Sequence, residues 1–401
     1  MKSTFFSLLL FFGFLPTLAQ TVLFHTGDES GFPYRIPAIA CAPNGDLIAL
    51  SDRRPCGKDI GYGRVDILGR VSRNNGATWS EPFNVLVGSG EGEDAGFGDA
   101  CLVADAKRNE LLLVCVSGDI PYWQSHSDHR QRIVSLHASY NKKQKQWEWD
   151  TEPEDLTAQV YDGILQGKID GLFMGSGRIC QSRQIKVDKY YRLYAALCTH
   201  KGNFVIYSDD FGHNWKLLGD AVTSCAPMGD EPKCEELPDG SVLLSSRKSG
   251  GRFFNIYKYV DAQAATGFWD QPIDSREATG GISNESTPCN GEILILPARR
   301  NSDGKETTIA LQSLPAGPAR ANVCIYFKEL SSPTTYGTSL RFASDWQGVF
   351  QVSDTGSAYS TMIEQADGKI AFYYEEEPEF YQMVFRTLTI EEITSGAYTA
   401  L

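Results

Sequence analysis

Ser72-Arg-Asn-Asn-Gly-Ala-Thr-Trp79 and Ser208-Asp-Asp-Phe-Gly-His-Asn-Trp215 are two copies of one pattern, S-x-[DN]-x-G-x-x-W. A short motif that recurs at long range predicts a stacked or circular repeat rather than one irregular core. Each position has a physical task. Asn74 or Asp210 turns its side chain onto the backbone N–H groups that follow. Gly76 or Gly212 supplies the positive φ that closes the turn. Trp79 or Trp215 packs a large apolar face beneath the loop. Two weaker echoes follow the same plan. Ser139 to Trp147 keeps the Ser, Asn and Trp but lacks the Gly, and Asp261 to Trp269 keeps Gly267 and the Trp. The four tryptophans are spaced by roughly 55–70 residues, which suits four-stranded blades with insertions.

The remaining chain agrees with a blade architecture. Short apolar runs such as Asp46–Leu50, Glu110–Cys115, Tyr191–Ala196, Ser241–Ser245 and Lys369–Tyr374 read as strands. Several follow turn dipeptides, among them Asn44-Gly45, Asp239-Gly240 and Asp367-Gly368. Only Glu154 to Leu165 has helical spacing, with Leu156, Val160, Tyr161 and Leu165 on one face. With no low-complexity linker, the expectation is one all-β domain over residues 20–401: a six-bladed β-propeller of four-stranded antiparallel blades.

Residues 1–19 read as a signal peptide. Lys2 is the positive start, Phe5 to Leu15 the apolar run, and Thr17-Leu18-Ala19 a small-residue cleavage site. The run is short for a membrane span. The expectation is therefore an exported monomer, periplasmic or released, with no membrane span. The 401 residues carry a formal charge of −13. That balance disfavours nucleic acid and would also repel an anionic substrate, so any anion site must be built from clustered arginines. Ten cysteines contain no C-x-x-C pair, and some could pair after export or remain buried thiols. His126 and His129 read better as a solvated loop than as a metal pair, and no cofactor or metal is expected.

Tyr34-Arg-Ile-Pro37, where Pro37 favours an extended residue before it, together with the repeated turn, resembles the hallmarks of the sialidase (neuraminidase) family. The resemblance covers nearly the whole mature chain, with the motifs in the family's order. It implies an exo-α-sialidase acting on sialylated glycans, without excluding a trans-sialidase or an inactive sialic-acid-binding propeller. It also implies roles for particular residues. Arg35, Arg247 in Ser245-Ser-Arg247 and Arg320 in Arg320-Ala-Asn-Val323 would form a triad for the substrate carboxylate. Arg54 would add a further arginine, with Arg53 as its register competitor. Asp59 would be the acid/base, with Asp66 as the alternative. Asp99 in Gly98-Asp-Ala100 would contact a sugar hydroxyl. Glu231, opening the E-x-x-x-x-E-L-x-D-G run, would be a catalytic base, Tyr359 the nucleophile, and Glu375 the support of Arg35.

The chemistry of those residue types is coherent. Sialic acids carry a carboxylate on the anomeric carbon, and arginine meets it with a permanent, planar, bidentate charge. A carboxylate nucleophile would approach a carbon that already bears a negative group. A neutral phenol avoids that repulsion, and sialidases are the recognised tyrosine exception among retaining glycosidases. A phenol of pKa about 10 needs a base to become nucleophilic.

Overall fold

A computed structural model describes residues 20–377 and 381–401; the expected signal peptide lies outside them. Six sheets succeed one another along the chain. The first blade is Tyr34–Cys41, Leu47–Arg53, Asp66–Ser72 and Phe83–Leu86, paired in sequence order. The second begins with Phe97–Ala104, the third centres on Tyr190–Thr199, the fourth begins with Pro232–Glu236 and the fifth with Ile293–Arg300. The sixth contains Gly356–Glu364, Ile370–Glu377 and Gln382–Leu388, and its outer strand is Thr21–His25 from the other end of the chain. The ring is thereby closed by a strand from residue 21 onwards pairing with one near residue 385.

The blades exceed the expected four strands in places. Short strands such as Glu154–Asp155 and Ile273–Asp274 add to the second and fourth blades, and Gly177–Arg178 pairs in parallel with the innermost strand of the second. The expected helix Glu154–Leu165 shrinks to Thr157–Asp162. Its first residues are taken by sheet pairing, and Asp155 accepts a hydrogen bond from Thr157 N at 2.8 Å. The predicted apolar face survives in part, with Leu156, Val160 and Tyr161 buried. No helix among the described residues is long and apolar enough to cross a membrane.

Both copies of the repeated segment sit after the third strand of their blade and share one hydrogen-bond pattern. Ser72 Oγ accepts from Gly76 N at 2.9 Å, and Ser208 Oγ from Gly212 N at 2.8 Å. Asn74 Oδ1 and Asp210 Oδ1 accept from Thr78 N and Asn214 N, each at 2.9 Å. Each glycine has positive φ and lies against the preceding blade, Gly76 on Phe385 and Gly212 on Leu112. The tryptophans reach the same way. Trp79 meets Phe385 edge-on at 5.0 Å, and Trp215 joins a core containing Leu112 and Val160. The two echoes occupy the equivalent turn. Trp147 Nε1 donates to Asp46 in the first blade and Trp269 Nε1 to Leu218 O in the third. These segments fasten neighbouring blades to each other.

Candidate active site

A cavity of about 380 Å³ brings together Arg35, Arg54, Asp59, Asp99, Glu231, Arg247, Arg320 and Tyr359. Eight of the nine residues singled out in the sequence line it; Glu375, the ninth, lies fully buried behind Arg35. Its wall is made where three innermost strands lose their regular register. The irregularities fall between Arg35 and Ala38, between Gly98 and Cys101, and between Ser357 and Ser360. An extra residue in a strand re-aims the side chains beside it. Here those side chains are Arg35, Asp99 and Tyr359.

The first irregularity corrects one expectation. Ile36, before Pro37, is not extended but has φ of +60°, a costly conformation for a β-branched residue. Its N–H donates to Glu375 Oε1 at 2.8 Å. The same carboxylate accepts from Arg35 Nε at 2.7 Å and Arg35 Nη2 at 3.1 Å, and its Oε2 accepts from Tyr359 N at 3.3 Å. Glu375 therefore fixes the Arg35 guanidinium and the strand that carries Tyr359 with one buried group. Burial alone would pull the Arg35 guanidinium down, but the Glu375 charge overrides it and holds Arg35 above its ordinary value.

Tyr359 and Glu231 are in direct contact. The Tyr359 hydroxyl donates to Glu231 Oε1 at 2.5 Å, and Arg247 Nη1 donates to that hydroxyl at 3.1 Å. Arg247 Nη1 also lies 2.8 Å from Glu231 Oε2. Burial pushes the Tyr359 phenol well above its ordinary value, the Glu231 charge adds to this, and Arg247 opposes it. At rest the phenol keeps its proton, with a carboxylate in place to receive it. Arg320 lies 5.6 Å over the same ring, and its backbone carbonyl accepts from Ser357 N at 3.0 Å. Among the described residues Arg320 has no carboxylate partner.

The register competition in Arg53-Arg54 has a clear geometric outcome. Arg53 turns to Asp66, at 2.7 Å, and neither lines the cavity. Asp66 is fully buried and also accepts from Arg64 and from Gly88 N. Arg54 enters the cavity, 3.0 Å from Asp59 and 3.1 Å from Asp52. The Asp59 side chain is 65% exposed and open to solvent. Arg54 Nε is buried without a hydrogen-bond partner.

Asp52 was not singled out in the sequence. It is fully buried beneath Arg54 and accepts from Asp99 N at 3.2 Å. Burial raises it to about 7 against the pull of Arg54. Burial, followed by the charges of Asp59 and Asp52, also holds Asp99 well above a normal carboxylate. An aromatic lip of Tyr122, Trp123 and Phe173 likewise went unread. Tyr122 meets Phe173 edge-on at 4.9 Å, and Trp123 is 80% exposed. Its signal was no more than Pro121-Tyr-Trp123 in a loop.

The arrangement offers an anion clamp of four arginines, a phenol paired with a base, and an exposed carboxyl group across the cavity. All ten cysteines are free thiols, eight of them buried. His129 pairs with Asp119 at 2.7 Å, in keeping with a surface loop.

No protein-family model matches the chain. It is 29% identical over 383 residues to a sialidase of Micromonospora viridifaciens, covering 90% of this chain and 52% of that protein. It is 25% identical over 305 residues to a sialidase of Bacteroides fragilis, covering 71% and 51% respectively. The chain thus spans about half the length of the curated relatives it matches. Among solved structures, the leech intramolecular trans-sialidase complexed with 2,7-anhydro-Neu5Ac superposes with a TM-score of 0.71 at 16% identity, over 95% of this chain and 72% of that one. The Ruminococcus gnavus intramolecular trans-sialidase gives 0.66 at 16% identity, over 92% and 97%. The Trypanosoma rangeli sialidase in complex with the inhibitor DANA gives 0.63 at 18% identity, over 89% and 55%.

Proposed function

We propose, from the premise that this chain belongs to the sialidase family, that it is an exo-α-sialidase that releases terminal sialic acid with retention of configuration. The observation that carries this reading is the Tyr359–Glu231 hydrogen bond at the floor of an arginine-lined cavity. Arg35, Arg247 and Arg320 bind the substrate carboxylate, and each charge-assisted hydrogen bond contributes about 1.5–3 kcal/mol. Arg54, with its unpartnered Nε, completes the clamp. This local charge outweighs the repulsion of a chain at −13.

In the first step Glu231 takes the phenolic proton as Tyr359 Oη attacks the anomeric carbon, and Asp59 protonates the departing glycosidic oxygen. In the second step Asp59 removes a proton from water, which attacks the same carbon, while the phenolate leaves and recovers its proton from Glu231. Two inversions give net retention. Asp99 positions a ring substituent. The substrates are sialylated glycans that the monomeric enzyme meets after export.

A proton NMR time course on a fluorogenic α-sialoside tests this. The α-anomer of free sialic acid is expected first, followed by mutarotation. Release of an anhydro sugar assigns the chain to intramolecular transfer instead. Binding without any release assigns it to a sialic-acid-binding propeller.

A further inference from the structure

The second and third blades meet at a group of side chains outside the cavity. His137 stands on the strand Arg132–Asn141, Glu154 on the edge strand Glu154–Asp155, and His213 in the second repeated turn. One ring nitrogen from each histidine and one Glu154 oxygen lie within 4.8 Å of one another. The imidazoles stack with centroids 4.4 Å apart, and His213 Nδ1 lies 3.5 Å from Glu154 Oε2. His137 Nε2 is closed to solvent and has no hydrogen-bond partner. A buried polar atom in that state calls for a ligand or another explanation.

The backbones beneath these groups are held firmly. Gln159, on the helix of the second blade, accepts from Trp215 N at 2.8 Å and donates to His213 O at 3.3 Å. Gly212 lies against Leu112, and Asp210 locks the turn through Asn214. The outer two side chains remain free to adjust, since His213 is 55% and Glu154 49% exposed. Parallel rings point their lone pairs in parallel, so a shared ion requires His213 to rotate off the stack about its Cβ–Cγ bond. The exposure of that ring permits it.

We propose that His137, Glu154 and His213 bind a divalent transition-metal ion of the Zn²⁺ class that clips the second blade to the third. Two imidazoles and a carboxylate suit such an ion, with water at the remaining position. Calcium and magnesium favour all-oxygen sets. The ion requires neutral imidazole.

The test uses the tag-free full chain, stripped with a chelator and titrated with ZnCl₂ by calorimetry and with CoCl₂ by visible absorption. One ion per chain, a four-coordinate cobalt spectrum and a Zn²⁺-dependent rise in Tm are expected. His213→Ala and Glu154→Gln should each weaken binding more than about tenfold, a loss seen even for hydrogen-bond partners of metal ligands. Sialoside turnover should be unchanged in both. Absence of binding at micromolar Zn²⁺ overturns the proposal, as does binding that survives both substitutions.

Discussion

Tyr359 and Glu231, 128 residues apart in the chain, share a hydrogen bond of 2.5 Å. The phenol is buried and holds its proton tightly, so in the proposed mechanism its activation as nucleophile depends on that contact. Glu231→Gln is expected to lower kcat by about 10²–10⁴-fold, the range for losing a positioned general base. Tyr359→Phe should cost at least as much, with sialic acid still bound. Steady-state kinetics with a sialoside and calorimetry with free sialic acid separate the two effects. Wild-type turnover by Tyr359→Phe would remove it as nucleophile.

Glu375 satisfies four donors from two blades. Glu375→Gln leaves the Arg35 cation without its counter-charge and sets an amide N–H₂ against donors. Breaking a buried pair costs about 3–5 kcal/mol. A fall in Tm together with a rise in KM is expected, measured by calorimetry and kinetics. An unchanged Tm would mean that the pair contributes nothing to the fold.

Asp52 gives a pH signature. Its value of about 7 in the fold exceeds the 3.8 of a free carboxyl, so the folded chain keeps a proton that the unfolded chain releases. The stability this contributes is complete below about pH 4 and is lost as pH rises through about 7. Relative to Asp52→Asn, the wild type should therefore lose Tm steadily between those limits. The Asp52 charge also helps raise Asp99, so the substitution relaxes both groups and the difference reports the pair. A difference in Tm that is flat with pH would show that Asp52 is already ionised at the lower limit.

The repeated turns predict a purely structural lesion. Gly212 has φ of +92°, and a Cβ there would collide with Leu112 across the blade boundary. Gly212→Ala should destabilise by about 1–3 kcal/mol through strain and overpacking. The kcat of the folded fraction should stay as in the wild type, because the turn touches no residue of the cavity. A drop in kcat without a drop in Tm would contradict that separation.

The cysteines predict indifference to reductant. Ten free thiols should titrate with a thiol reagent in denaturant without prior reduction, and only Cys41 and Cys56, which are partly exposed, should react readily in the native chain. Fewer than ten would reveal a disulfide and reopen the choice between pairing and burial that the sequence left even.

The fold was legible because blade turns repeat. Ser, Gly and Trp recur at fixed offsets, and that recurrence placed Trp79 and Trp215 in equivalent turns before any strand was located. The arginines, Glu231 and Tyr359 were legible through local motifs that resemble a family's. Asp52 was not, because its importance comes from burial beneath Arg54, and a carboxylate followed by two arginines reads as a surface ion pair. The aromatic lip escaped for a related reason. Tyr122 comes from a short helical turn and Phe173 from the strand Leu172–Met174, and they carry no shared spacing. The extended Ile36 expected from Pro37 failed because Glu375, more than 300 positions away, holds its N–H in a left-handed bend.

The strand Thr21–His25 lies in the same sheet as Gln382–Leu388, within the sixth blade, and the Arg35–Glu375 pair ties the first blade to that sixth blade. During synthesis the first arginine of the clamp waits for nearly the whole chain to appear before its partner exists. Contacts of such separation form slowly. The cavity is therefore assembled only once the circle is closed, because its first arginine and that arginine's partner come from opposite ends of the chain. A chain clipped of either end strand would still carry the arginines and the tyrosine, but without the pairing that closes the ring around them.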